Sequence, residues 1–85
     1  MKNYFLHIKK KLNKKIKIED IEIIDNSSKH KHHKFFSPDK FHLHIKIQSM
    51  YLASLNSLNA QRLVMKILKE DLKNKIHALE ISIKP

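Results

Sequence analysis

The sequence predicts an α+β fold of order α-β-β-α-β, a three-stranded mixed sheet covered by helices on one face and similar to a type II KH domain. Three patterns carry this. Residues 40–49 alternate without a break, Phe41, Leu43, Ile45 and Ile47 against His42, His44, Lys46 and Gln48, which is a strand with one buried and one wetter face. Two stretches, 3–15 and 59–74, instead repeat apolar residues at helical spacing. Shorter alternating runs stand before and after the long strand. At 85 residues the chain reads as a single domain, 1–85, with one small core and modest stability.

The elements follow in order. In residues 3–15, Phe5, Ile8 and Leu12 form an apolar stripe, and Lys9, Lys10, Lys11, Lys14 and Lys15 cover the other face. Such a helix can lie on a membrane or dock its stripe on a sheet. Residues 20–25 alternate Ile21 and Ile23 with Asp20 and Glu22, a first strand. Residues 51–58 read as a short helix or turn. Asn59 is placed to cap the next helix with its side-chain oxygen, and Leu63, Val64, Ile67, Leu68 and Leu72 form the buried stripe, with Lys66, Lys69 and Lys73 outward. Asn74 is the best substitute for glycine at a left-handed C-terminal position. Residues 76–83 form the last strand, Leu79, Ile81 and Ile83 on one face. By the same parity His77 points to the buried side or its rim. The first two strands pair antiparallel, and a right-handed crossover through the helix lays the last parallel to its predecessor.

Composition excludes several classes. There is no Cys, Gly or Trp. Without Cys there is no disulfide scaffold, all-Cys zinc site or Cys nucleophile. Without Gly there is no P-loop or dinucleotide fingerprint, both of which need glycine where backbone meets phosphate. The longest apolar run is Met50 to Ala53, too short to span a membrane, and no signal-peptide core opens the chain. A cytoplasmic address is expected. The net charge is +10, but 17 of the 18 basic residues are Lys and the other is Arg62. Lys, Ile and Asn together supply 35 residues, all encoded by A/T-rich codons. The charge therefore fits a solvated lysine coat as well as contact with nucleic acid or an anionic membrane, and sites built to grip phosphate more often use Arg.

The 14 residues from Asn26 to Asp39 are too long for a tight hairpin, and loops of this length in a small domain are functional or disordered. Their core reads Lys29-His30-Lys31-His32-His33-Lys34. Neutral imidazole is the commonest nitrogen ligand for metals, so this loop could hold Zn, Ni or Cu loosely, although the interleaved lysines repel a cation. His77 reads either as a packed histidine on a backbone carbonyl or as a metal ligand at a strand end. No carboxylate pair stands beside a His in a catalytic arrangement, so a non-enzymatic protein is expected. Any tight metal site must borrow ligands from a partner.

Four segments, in order, resemble the BolA family. Ile24-Asp25-Asn26-Ser27-Ser28-Lys29-His30 resembles the end of its first strand and the opening of its variable loop. His42-Leu43 and the alternation to Ser49 resemble its second strand, with Leu43 in place of the usual Phe. Arg62-Leu63-Val64 resembles the end of an Arg-His-Arg-aliphatic segment, with Ala60-Gln61 where Arg-His is common. Ile76-His77-Ala78-Leu79 resembles its His-Ala-Leu signature.

The resemblance implies a role in iron–sulfur trafficking or iron-status regulation with a monothiol glutaredoxin as partner. A [2Fe–2S] cluster would be bridged between the two proteins. The glutaredoxin and its glutathione would supply thiolates, and this chain His77 and His30, with His33 and His32 as alternates in the crowded loop. Alone, the protein would hold no cofactor and be a monomer or weak homodimer. The family resemblance and the KH-like fold also raise an alternative, a DNA-binding transcriptional regulator using Arg62, Lys66, Lys69, Lys73 and Lys75. A KH domain grips RNA backbone through a Gly-x-x-Gly loop, which this chain lacks, so such binding would be driven mainly by phosphate contacts.

Overall fold

The computed structural model describes residues 2–27 and 41–85. The elements are α1 (Lys2–Lys15), β1 (Asp20–Asp25), β2 (Phe41–Gln48), α2 (Met50–Ala53), α3 (Ser57–Ile67), α4 (Lys69–Asn74) and β3 (Ile76–Lys84). The sheet order is β1-β2-β3, with β1 antiparallel and β3 parallel to the central β2, as the sequence predicts.

The core lies between the sheet and the helices. Ile8, Leu12 and Ile16 from the first helical segment meet Leu43, Ile45 and Ile47 of β2, Ile76 and Ile81 of β3, and Leu52, Ala60, Val64 and Leu68. Ile21 and Ile23 pair with Ile47 and Ile45 and are half-buried, as suits an edge strand. The opposite sheet face carries Asp20, Glu22, Lys46, Glu80, Ser82 and Lys84, all exposed. Among the described residues no helix is long and apolar enough to cross a membrane.

The helical region departs from expectation in three places. The N-cap is Asn56 rather than Asn59: its Oδ1 accepts the N–H groups of Leu58 at 2.9 Å and Asn59 at 3.2 Å, so the helix starts earlier and takes Ala60 into the core. The stripe from Leu63 to Leu72 does not lie on one helix. It breaks at Leu68, whose φ −94° and ψ 18° leave helical geometry while its side chain stays fully buried. Leu68 still donates to Val64 and accepts from Leu72, so the apolar periodicity runs through the break and hides it. Asn74 does not adopt a left-handed conformation. No described residue has positive φ, and α4 instead ends at Lys75, whose carbonyl accepts the N–H of Phe41 and passes the chain directly into the sheet.

Two buried polar residues fasten the layers. The Ser49 hydroxyl donates to the carbonyl of Lys17 at 2.7 Å and accepts the N–H of Leu52 at 3.1 Å, joining the end of β2 to the α1–β1 connection and capping α2. Asp71 is 6% exposed and accepts Tyr4 Oη on Oδ1 and Lys11 Nζ on Oδ2, each at 2.7 Å. Lys11 is thus half-buried in an ion pair, not part of the outward lysine face assigned to it from periodicity. Burial pushes the Asp71 carboxyl up, but hydrogen bonds from Lys11 and Tyr4 and the positive charge of Lys11 outweigh it, and the net direction is down. Burial, then the bond to Asp71, pushes the Tyr4 phenol up.

A lowered folded-state carboxyl pKa contributes stability above the ordinary carboxylate value and loses it as pH falls through the lowered one. Asp71→Asn should therefore lower unfolding stability at neutral pH by about 2–3 kcal/mol and flatten the acid limb of a urea-midpoint-against-pH curve. An unchanged acid limb would show that Asp71 contributes nothing there.

Candidate functional site

The site is built where β2 and β3 begin. Phe41 pairs with Ile76 and His42 with Ala78, so β3 carries one extra residue, His77, at a register shift. Such a bulge re-aims the inserted side chain. His77 is exposed, not turned toward the core or its rim as strand parity predicts. Parity fails because the bulge sits between Ile76, which is 1% exposed, and the Leu79–Ile83 phase.

His42 lies beneath it. The two rings stand 5.0 Å apart by centroid at an interplanar angle of 43°. His42 belongs to the face expected to be wetter, yet it is 8% exposed, while Lys46 on the same face is exposed. Its backbone is held on both sides by the end of β1. The His42 N–H donates to Ser27 Oγ at 3.1 Å, its carbonyl accepts the N–H of Asn26 at 2.7 Å, and the N–H of Ser27 donates to Asp25 Oδ1 at 2.9 Å. A shallow depression of about 230 Å³ adjoins it, lined by Asn26, His42, Leu43, Ala78, Leu79 and Glu80. His44, the next residue on this face, is engaged elsewhere: its Nε2 lies 2.6 Å from Ser82 Oγ and 3.7 Å from Glu80 Oε2.

At the start of β2 and β3 the structure therefore sets an exposed imidazole, His77, against a buried one, His42. His30, His32 and His33 lie outside the described residues; in the sequence His30 stands three residues after Ser27, whose hydroxyl is bonded to His42. Among the described residues no three His, Asp or Glu side chains stand together as a metal site. What is present could serve as half of a shared site, with one exposed imidazole and no thiol. Strand alternation places His42 on the wetter face and gives no sign of its burial, which appears only with the register at the bulge.

The proposed nucleic-acid residues form a second set. Arg62 and Lys66 lie on α3, Lys69 and Lys73 on α4, and Lys75 just beyond, and all five are exposed. Gln61, beside Arg62, turns to the sheet. Its Nε2 donates to the carbonyl of Ile81 at 3.1 Å, and Ala60 is buried. Charge is unevenly divided. Residues 2–17 hold seven lysines and no acid, whereas four of the eight acidic residues fall within 19–25, on and beside the edge strand. The first helix is basic and the sheet edge is acidic.

The sequence profile of BolA-like proteins matches residues 12–85. No curated protein sequence matches at a significant level. Among solved structures, the chain is similar to BolA1 from Arabidopsis thaliana, with a TM-score of 0.78 and 32% identity over 93% of this chain and 87% of that one. It is also similar to the BolA domain of SufE1 from Arabidopsis thaliana, with a TM-score of 0.77 and 28% identity over 93% and 87% of the two chains. For BolA1 from Mus musculus the TM-score is 0.73 at 26% identity, covering 93% of this chain and 62% of that one.

Proposed function

Since this chain belongs to the BolA-like protein family, we propose that it is a non-enzymatic iron–sulfur adaptor, which pairs with a monothiol glutaredoxin and gives two histidines to a [2Fe–2S] cluster held between them. The observation that carries this reading is the exposed His77 imidazole, lifted from the sheet by the bulge within the His-Ala-Leu signature. It is supported by the direct bonding of His42 to the segment that leads into His30.

The residues fit one half of such a site. His77 would supply one nitrogen, and His30, with His33 and His32 as alternates, the other. The chain has no Cys, so the thiolates must come from the glutaredoxin and its glutathione. A [2Fe–2S] cluster bound this way supplies one-electron redox chemistry and a transferable iron–sulfur unit. The protein's part is to hold and to orient. The bulge turns His77 outward, and the Asp25–Ser27 segment is fixed against His42 by two hydrogen bonds. Neutral imidazoles in place of thiolates lower the negative charge on the irons, which favours the reduced state.

The exposure of Arg62, Lys66, Lys69, Lys73 and Lys75 along α3, α4 and the residue after it supports a second reading, in which they bind DNA in a regulatory role. With no glycine loop to clamp the backbone, such binding would come from phosphate neutralisation.

Visible circular dichroism after anaerobic reconstitution with a monothiol glutaredoxin and glutathione tests the first reading. A spectrum distinct from that of glutaredoxin alone is expected, reverting to it with His77→Ala. A spectrum the same as glutaredoxin alone would contradict the reading for that partner. For the second reading, the affinity for duplex DNA should fall with a log–log salt slope of roughly −4.5 if the five basic residues each neutralise a phosphate. A flat salt dependence would exclude it.

A further inference from the structure

We propose that His42 is the positioning residue of this site. Its buried ring is the floor on which the His77 imidazole rests, and its main chain joins that floor to the stem of the segment carrying His30. The proposal rests on the reading of His77 as a ligand, and it assigns His42 an orienting task rather than a bond to metal.

The two rings are in contact but live in different surroundings. Their centroids are 5.0 Å apart, within the range of favourable ring pairs. His77 is exposed. His42 is 8% exposed, and both of its ring nitrogens are shut off from solvent. A group approaching from outside meets His77 and is screened from the ring nitrogens of His42. An exposed histidine on a bulge would otherwise sample several rotamers and lose that freedom on binding. A ring fixed beneath it confines it beforehand, as partners behind metal-binding histidines do elsewhere.

The floor itself is fixed. The hydrogen bonds of the His42 N–H to Ser27 Oγ and of its carbonyl from the Asn26 N–H pin it to the end of β1, and pairing opposite Ala78 pins it to β3. Ser27 stands three residues before His30. One residue thus sets both the direction of His77 and the point from which the histidine segment departs.

The test compares wild type with His42→Phe, which keeps a flat ring and removes the nitrogens, and His42→Leu, which fills much of the volume without a ring. Far-UV circular dichroism and thermal unfolding establish that each variant folds. In the free protein, NMR of the His77 ring should show the same side-chain order in wild type and His42→Phe, with ring-current shifts of the same sign that are larger beneath the phenyl ring, and a mobile, unshifted His77 ring in His42→Leu. In the reconstituted complex, His42→Phe should keep the shared-cluster visible spectrum, and His42→Leu should lose the cluster roughly tenfold more readily. The proposal is overturned if His42→Phe abolishes the shared spectrum as His77→Ala does, because His42 would then act through a nitrogen. It is equally overturned if His42→Leu leaves the order of the His77 ring unchanged. The free-protein measurement decides the orienting role even where wild type forms no shared cluster, an outcome that would count against the functional reading itself.

Discussion

One extra residue in β3 reconciles the packing of this protein with its candidate chemistry. Ile76 and Ile81 are both buried in the core, yet they are an odd number of positions apart, and an unbroken strand sends such residues to opposite faces. Opposite Phe41 and His42 the strand inserts one position, and parity resets. The inserted residue is His77. The same step that lets Ile76 pack inward therefore turns the imidazole outward, and the direction of the proposed ligand follows from the demands of the core.

The rest of the molecule holds that step in place. The Lys75 carbonyl binds the N–H of Phe41, so α4 runs straight into the bulge. Asp71 ties α4 to α1 through Tyr4 and Lys11, and Ser49 ties the far end of β2 to the α1–β1 connection. The site thus stands on strand ends anchored from both layers, which is where a rigid donor group is best carried.

Much of this is legible in the sequence. The alternation from Phe41 to Gln48 shows the central strand and its buried face, and the strand–helix–strand order shows the parallel pairing. The failures share one cause: periodic patterns do not report local breaks. Leu63 to Leu72 keeps helical spacing through the change of direction at Leu68. The Leu79–Ile83 alternation extends backward in the sequence to include His77 and gives no sign of the bulge. Asn59 and Asn56 are both good caps, and the choice falls to Asn56 because the earlier start buries Ala60. Lys11 looks like one more outward lysine until Asp71, 60 positions away, claims it. His42 looks solvated because strand alternation describes faces and not what lies across them.

The central claim is that a histidine of this chain, aimed by the bulge, binds iron in a cluster shared with a thiol-bearing partner. Pulsed electron paramagnetic resonance on the reduced complex tests it most directly, with ¹⁵N-histidine incorporated only into this chain and the glutaredoxin unlabelled. The account predicts strongly coupled ¹⁵N nuclei from two histidines, one of which disappears with His77→Ala. A reduced cluster showing no strong ¹⁵N coupling would mean that the partner's thiolates hold it without this chain, and would contradict the account.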